Sequence, residues 1–200
     1  EEKAMRPFLL VASFVNPHDI VLFPGWRRQE NNPIEKSNLD PPLVPEPPTR
    51  HEDLSSKPAS QIAYKNAYFS GYGPYRRVKN IYERNEQAYR DLYYRLHLEV
   101  DGPIDSVRKT ITENDSNEAI IFRTSDHGDL LGAHGGLHQK WFTLYDEATR
   151  VPFQIVKTGN QPTSSKIISN IPTSHIDLIP TALGLAGLNQ EDLSEKLSPS

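Results

Sequence analysis

Three short runs of mostly apolar residues constrain the fold of this 200-residue chain more than any other feature. They span residues 7–15, 118–124 and 152–156. Their hydrophobicity is continuous rather than alternating, which is what a strand covered on both faces requires, as in a parallel sheet flanked by helices. We therefore predict three buried strands side by side in one sheet, with the ends at Asn16 and Ser125 pointing the same way.

Apolar residues between the first two runs recur at spacings of three, four and seven, as one face of a helix demands. We interpret them as core residues of a helix over 75–114 that Asp101-Gly102-Pro103 kinks or breaks. A second helix is predicted within 174–186, with a capping-box-like start at Ser174 and Asp177 and an end at Gly187. Strands alternating with helices predict an α/β fold with a mainly parallel sheet flanked by helices. The residues on the first helix face are Tyr82, Tyr89, Leu92, Tyr93, Leu96 and Val100.

Residues 24–58 form a long proline-rich segment with eight prolines. Proline removes a backbone donor and restrains the residue before it, so regular helix or sheet is not expected there. The segment is either a linker or a long surface loop lying over a site. The length of the chain predicts a single domain over residues 1–200.

Composition excludes several classes of site and partner. The net charge of −4 gives no basic footprint for nucleic acid, and no apolar run approaches the roughly 20 residues of a membrane-spanning helix. The absence of cysteine excludes disulfides, a thiolate zinc site and a cysteine nucleophile within these residues. It does not settle the compartment, so the localisation stays open.

The chemistry is concentrated between residues 125 and 140, which hold three of the seven histidines and four of the eleven glycines. The segment follows a predicted strand, where open α/β sheets bind their ligands. Asp126 and His127 offer a carboxylate and an imidazole, a usual pair for a divalent cation. Two adjacent ligands are too few for a calcium-like ion, so further ligands must come from elsewhere. Asp129 is the other carboxylate here, and a merely polar turn is the alternative.

Four ordered motifs give the chain a resemblance to the sulfatases, of the arylsulfatase and choline-sulfatase kind, within the alkaline phosphatase superfamily. The segment 124–135 resembles the metal-binding signature of that family. Lys140-Trp141, followed by Tyr145-Asp146-Glu147 and Arg150-Val151-Pro152, is similar to its lysine and the run after it. The other two matches are a late segment, residues 174–187, and a strand end, residues 14–19.

The resemblance implies a role for each matched residue. Asp126 and His127 would be metal ligands, and Lys140 would hold a sulfate oxygen. His18 would contact the ester or leaving-group oxygen as a donor or general acid. His138 is a further candidate for substrate binding, although it and His134 are as compatible with bracing the loop.

The sequence departs from the family pattern in two ways. Many sulfatases carry Asn where this chain has His127, so calcium remains the expected metal while a nitrogen ligand makes manganese possible. The family's nucleophile is a formylglycine made from a Cys/Ser-x-Pro/Ala-x-Arg motif, and no such motif occurs in these 200 residues. We therefore expect an internal or C-terminal portion of a sulfatase catalytic domain that lacks the N-terminal half of its site.

Three functions follow as hypotheses. In the first, the chain supplies part of the active site of a sulfuric ester hydrolase and is inactive alone. In the second, the reaction is that of a sister phosphodiester or phosphonate monoester hydrolase, which His127 also fits. In the third, the chain is a non-catalytic fragment or a subunit that another chain or an oligomer completes.

Overall fold

The computed structural model describes residues 8–28, 44–72, 75–76, 78–114, 119–158, 170–189, 191 and 194–195. Backbone contacts group Ser13–Gln161 into one compact unit and Glu1–Ala12 with Pro162–Ser200 into another. In the larger unit, helix α1 (Phe23–Trp26) follows a 3-10 turn at His18–Leu22, and α2 (Ala59–Ser70) follows a 3-10 turn at Leu54–Ser56. A two-residue strand pair, β1 (Gly71–Tyr72) and β2 (Tyr75–Arg76), leads into α3 (Lys79–Asn114).

Helix α3 supplies the centre of the hydrophobic core, as its apolar spacing predicted. Tyr82, Tyr89, Leu92 and Leu96 are buried along one face. They pack with side chains from α1, α2 and the preceding 3-10 turn, chiefly Ile20, Phe23, Tyr68 and Phe69. The core is therefore aromatic, and residues on the same face of α3 contact the loop that follows residue 124, as described below.

The predicted break at Asp101-Gly102-Pro103 is wrong, because α3 continues through Pro103. The non-helical backbone lies instead at Asn85. The Asn85 side chain donates from Nδ2 to the carbonyl of Ile81 at 2.7 Å, and its Oδ1 accepts from Arg27. An asparagine that binds the carbonyl four residues back competes with the helix ladder, which accounts for the irregularity.

Two of the three predicted strands exist, but they are antiparallel. Strand β3 (Ile120–Thr124) pairs with β4 (Phe153–Lys157) in a register that sets Phe122 opposite Ile155. The parallel sheet of the prediction is therefore not found among the described residues, whose two sheets have two strands each. The connection returns to the end of β3 from which it started: Thr124 pairs with Phe153, and the amide of Gly128 donates to the carbonyl of Ala148 at 2.9 Å.

The strand predicted at 7–15 is wrong over residues 8–15, which have no strand assignment. Its side chains are exposed, with Phe8 at 81% and Val15 at 69%. A strand needs a neighbour to complete its ladder of backbone hydrogen bonds. No described strand pairs with this run, so its hydrophobicity finds no covering layer here. Pro7 lies outside the described residues.

The smaller unit contains the helix predicted near the end of the chain. A 3-10 turn at His175–Asp177 leads into α6 (Leu178–Leu185). Ser174 and Asp177 form the expected capping box, and Gly187 has the left-handed φ of +89° that ends such helices. Among the described residues, no helix combines the length and apolar character that crossing a membrane requires.

Candidate functional site

Residues 125–140, called the site loop here, begin where β3 ends. Six of them have a left-handed φ: Leu131, Gly132, His134, Gly135, Gly136 and Gln139. Two backbone hydrogen bonds close the loop on itself, from Leu130 N to Gln139 O at 2.9 Å and from Gly132 N to Leu137 O at 2.8 Å. Three glycines adopt the left-handed region without steric cost. The loop is therefore a compact folded unit that includes a short helical turn, α4 (Ala133–Gly136).

Asp129 lies beneath the loop and holds it to the core. Its Oδ1 accepts from the amides of Leu131 and Gln139 at 2.9 and 3.2 Å, and its Oδ2 accepts from the Tyr89 hydroxyl at 2.9 Å. Burial raises the pKa of Asp129, while these three donors and the charge of Lys140 act in the opposite direction. The carboxylate therefore pins both arms of the loop to α3. This role differs from the metal ligation that the sequence left open for Asp129.

His138 is also part of the buried support. Its ring stacks on Tyr82 with centroids 4.2 Å apart and meets Tyr89 edge-on at 5.1 Å. Its Nδ1 lies 3.0 Å from the carbonyl of Gly136, to which it donates. Burial lowers the pKa of His138 to about 3, so the ring is neutral. These contacts favour bracing over the substrate-binding role suggested for His138. Asp129, His138 and Gln139 are called the floor of the site loop below.

Asp126 and His127 form the rim of the site loop. The Asp126 side chain is 83% exposed and that of His127 is 36% exposed. Oδ2 of Asp126 lies 3.4 Å from Nε2 of His127. Desolvation opposes ionisation of Asp126, but the His127 amide, which donates to Oδ1 at 2.9 Å, and the His127 ring lower its pKa overall. Nδ1 of His127 donates to the Gly128 carbonyl at 2.9 Å, which directs Nε2 outward.

The rim fits two ligands of a divalent cation. A carboxylate oxygen and an imidazole nitrogen 3.4 Å apart can both contact one ion at bond lengths of about 2.0–2.4 Å. In the part of the chain that the structure describes, no group of three or more His, Cys, Asp or Glu side chains is arranged to hold a metal. The rim therefore offers a partial donor set, and the other ligands have to come from elsewhere.

Lys140 ends the site loop. Its Nζ lies 5.0 Å from the centroid of the Trp141 ring, and the side chain is half-buried. Its positive charge acts to lower the pKa of Asp129, against the effect of burial. The proximity of the Lys140 ammonium group to Asp126 and His127 stays a prediction.

His18 starts the 3-10 turn His18–Leu22 and is exposed. The turn is anchored by Ile20, which is buried in the aromatic core, and by a hydrogen bond from the amide of His18 to the carbonyl of Val15. The position of the turn is therefore fixed by the same core that supports the site loop. The proximity of His18 to Asp126, which the sequence predicted, stays a prediction.

Sequence reasoning missed the residues that support the loop from a distance. Tyr89 lies 40 residues before Asp129, and Arg50 lies beside Gly132 and Gly136 while its guanidinium pairs with Glu86 at 2.6 Å. The described part of the proline-rich segment thus lies against the site loop. One local signal was available in the sequence, the glycine at position 128. In the structure, a Cβ at this position would lie 2.0 Å from the carbonyl oxygen of Glu147 in α5 (Asp146–Thr149).

The chain is similar in sequence to several known sulfatases. The sequence model of the family described as Sulfatase matches residues 1–188. The chain is 28% identical to the uncharacterized sulfatase YidJ of Escherichia coli (strain K12), covering 96% of this chain and 34% of that protein. It is 26% identical to choline-sulfatase of Rhizobium meliloti (strain 1021), with the same coverage of each.

A third relative is arylsulfatase K of Danio rerio, 30% identical over 122 residues, which cover 60% of this chain and 21% of that protein. No solved structure matches the chain significantly. The chain spans about a third of the length of the first two relatives.

Proposed function

The chain belongs to the sulfatase family, and from that premise we propose that it supplies part of the active site of a sulfuric ester hydrolase. Asp126 and His127 are proposed as two ligands of a divalent metal ion, calcium, with manganese as the alternative that a nitrogen ligand favours. Lys140 is proposed to bind a sulfate oxygen. His18 is proposed to contact the ester or leaving-group oxygen.

The observation that carries this proposal is the contrast between a fixed loop and its outward-facing donors. Oδ2 of Asp126 and Nε2 of His127 lie 3.4 Å apart on an exposed rim. The loop beneath them is tied to α3 by the buried carboxylate of Asp129. A donor pair on an ordered backbone binds an ion with little further loss of conformational entropy. Ordering the backbone costs about 1–2 kcal/mol per residue, and in this loop that cost is met when the protein folds.

The proposed roles suit an in-line displacement at sulfur. A bound divalent cation would neutralise charge on the equatorial sulfate oxygens. Lys140 would place a compact positive charge on one of these oxygens. His18 would donate a hydrogen bond or a proton to the departing alkoxide or phenoxide, which is the group that gains charge as the S–O bond breaks. His138 has no part in the proposal, because its neutral ring is enclosed by aromatic side chains.

The proposal is limited to part of a site. The rim provides two donor groups, whereas a calcium-like ion takes roughly six to eight oxygens. No motif for the formylglycine that sulfatases use as nucleophile occurs in the sequence. We therefore propose that the remaining ligands and the nucleophile are supplied from outside these 200 residues, by a longer parent chain or by a partner chain. The isolated chain is expected not to hydrolyse an aryl sulfate.

A phosphonate monoester or phosphodiester hydrolase is the second candidate, favoured by His127 as a nitrogen donor. Both substrate groups carry one negative charge, and they differ in the central atom and in its oxygens: a sulfate monoester has three non-bridging oxygens, whereas a phosphonate monoester or phosphodiester has two. Paired rates on an aryl sulfate and an aryl phosphonate, measured on the completed enzyme, separate them. A non-catalytic role would be supported if the chain formed a defined complex with another chain that lacks hydrolase activity.

Inorganic sulfate provides a direct test on the chain itself. With calcium present, sulfate is expected to shift the NMR signals of Lys140 and of the Asp126–His127 pair. The variant Lys140→Ala should abolish the sulfate response. Lys109→Ala is the matched control, because Lys109 is an exposed lysine on α3 that pairs with Asp105 at 2.9 Å.

The outcome separates binding at the site from general attraction of anions to lysines. A response that survives in Lys140→Ala, or that Lys109→Ala weakens equally, would contradict the assignment of Lys140. Metal-dependent hydrolysis of an aryl sulfate by the isolated chain, lost in His18→Ala, would contradict the claim that the site is partial.

A further inference from the structure

We propose that His134 is a positioning residue, which clamps Glu52 and Glu147 and thereby holds helix α5 against Gly128 beside the metal-ligand pair. The inference rests on the proposed function, since Asp126 and His127 are the groups being positioned. His134 itself is four residues from His138 but has entirely different surroundings.

Both nitrogens of the His134 ring contact a carboxylate. Nδ1 lies 2.7 Å from Oε2 of Glu52, and Nε2 lies 3.1 Å from Oε2 of Glu147. A neutral imidazole has one N–H, so only the imidazolium form donates to both partners. Such charge-assisted hydrogen bonds are roughly twice as strong as neutral ones. The His134 side chain is only 12% exposed, so its contacts with the two carboxylates are less screened by solvent than contacts on an open surface.

The orientation of the ring is fixed by a second set of contacts. The His134 and Tyr145 rings are stacked, with centroids 3.5 Å apart and planes 7° from parallel. Lys57 pairs with Glu52 at 2.7 Å and lies 5.6 Å from the Tyr145 ring centroid. The groups facing the imidazole are thus two carboxylates, one aromatic ring and, one step removed, one ammonium group.

The first carboxylate ties the site loop to the proline-rich segment. Glu52 lies just before the 3-10 turn Leu54–Ser56, in a stretch that already contacts the loop backbone. The amide of Gly135 donates to the carbonyl of Thr49 at 3.0 Å, and the amide of His134 donates to its hydroxyl at 3.1 Å. Glu52 therefore belongs to a stretch whose position next to the loop is already fixed by hydrogen bonds.

The second carboxylate ties the loop to α5, which contacts Gly128, the residue after the rim. The amide of Gly128 donates to the carbonyl of Ala148 in α5 at 2.9 Å. A Cβ on Gly128 would lie 2.0 Å from the carbonyl oxygen of Glu147, so α5 packs directly on the Gly128 backbone. Gly128 in turn accepts from the ring of His127. A movement of α5 would therefore change the position of the His127 ring.

Loss of the clamp is expected to loosen this contact locally. Without the imidazolium, Glu52 and Glu147 have no cation between them, and α5 is a single helical turn of four residues. The hydrogen bond from Gly128 to Ala148 should then open more often. The exchange rate of the Gly128 amide hydrogen measures that opening directly.

The experiment compares amide exchange in variants of the chain without metal or substrate. His134→Asn is the first variant, because asparagine tolerates the left-handed φ of +50° found there but is too short to bridge both carboxylates. Glu147→Gln is the second and leaves the loop backbone unchanged. Both should raise Gly128 exchange by roughly tenfold, the scale of one lost charge-assisted hydrogen bond, and the double variant should add little more.

The matched control is His51→Gln. His51 and Glu46 also form a histidine–carboxylate pair at 3.1 Å, but the His51 side chain is 78% exposed and lies outside the loop. This variant should leave Gly128 exchange unchanged. In all variants the amide of Leu92, in the core face of α3, should exchange at the wild-type rate, because the effect is local.

Two results would overturn the proposal. One is unchanged Gly128 exchange in His134→Asn and Glu147→Gln. The other is an equal increase at Gly128 and Leu92, which would mean that His134 supports global stability alone. Because the measurement uses neither metal nor substrate, failure of the clamp leaves the metal and sulfate experiments valid, and their failure leaves the clamp intact.

Discussion

Two carboxylates of the site loop, Asp129 in the floor and Asp126 in the rim, are three positions apart in sequence and differ in burial and in hydrogen bonding. The floor carboxylate, Asp129, is buried and accepts three hydrogen bonds. The rim carboxylate, Asp126, is exposed and keeps Oδ2 turned toward solvent and the His127 ring. One short loop therefore contains separate residues for stability and for chemistry. Substitutions should therefore divide the same way.

The largest effect is expected for Asp129→Ala. It leaves the Tyr89 hydroxyl and the amides of Leu131 and Gln139 without their buried acceptor. We expect the free energy of unfolding to fall by about 3–5 kcal/mol, measured by urea denaturation. Asp53→Ala is the control, since Asp53 is an exposed cap of a 3-10 turn that accepts from Ser55, and its loss should be clearly smaller. Equal losses in the two variants would contradict the distinction between floor and surface.

The floor should also make the fold sensitive to acid. The folded state resists protonation of His138, whose pKa is lowered to about 3 from 6.5 by burial, while the unfolded chain takes up the proton freely. The contribution of His138 to the free energy of unfolding is therefore complete above pH 6.5 and is lost as the pH falls toward 3. The loss between neutral pH and pH 5 should be about 2 kcal/mol.

The variant His138→Phe keeps an aromatic ring in the stack and should remove this pH dependence. His97→Phe, at an exposed histidine on α3, should retain it. A stability curve with the same slope in wild type and His138→Phe would show that another group is responsible for the acid sensitivity.

A pair of glycines sharpens the boundary between floor and rim. Gly128→Ala would force α5 away from the loop, because its Cβ meets the Glu147 carbonyl oxygen. We expect a loss of about 1–3 kcal/mol. Gly102→Ala, in α3, meets no atom within 4 Å and should raise stability by about 0.5–1 kcal/mol. Thermal unfolding distinguishes the two, and a stable Gly128→Ala protein would show that α5 does not pack as described.

The features that sequence predicted correctly are local ones. The capping box at Ser174 and Asp177, the spacing of Tyr82 and Tyr89, and the positions of β3 and β4 to within two residues each depend on residues close together in the chain. The grouping of Asp126 with His127 belongs to the same class, since adjacent residues need no fold to bring them together.

The failures involve partners far apart in sequence. The floor role of Asp129 depends on Tyr89, 40 residues before it, and the contacts of His134 include Glu52, 82 residues away. Neither pairing leaves a periodic signal. The parallel sheet is not confirmed: β3 and β4 pair antiparallel, and hydrophobicity alone carries no information on strand direction. The exposed run at 8–15 shows that apolar composition favours burial of a segment but does not identify the element that would bury it.

Substitutions in the rim should have the smallest effect on stability and the clearest effect on metal binding. Asp126→Ala should change the free energy of unfolding by less than about 0.5 kcal/mol, because the side chain is exposed. Calorimetric titration of the chain with calcium and with manganese then tests the central claim, that the rim is part of a metal site on a preformed loop. Asp105→Ala, at an exposed aspartate on α3, is the control.

We expect binding weaker than about 10 μM, roughly −7 kcal/mol, since water must complete the coordination. That binding should vanish in Asp126→Ala and persist in Asp105→Ala. Binding tighter than about 10 μM that depends on Asp126 would contradict the account by showing that the two rim residues suffice. Binding that is unchanged in Asp126→Ala would contradict it by placing the metal elsewhere.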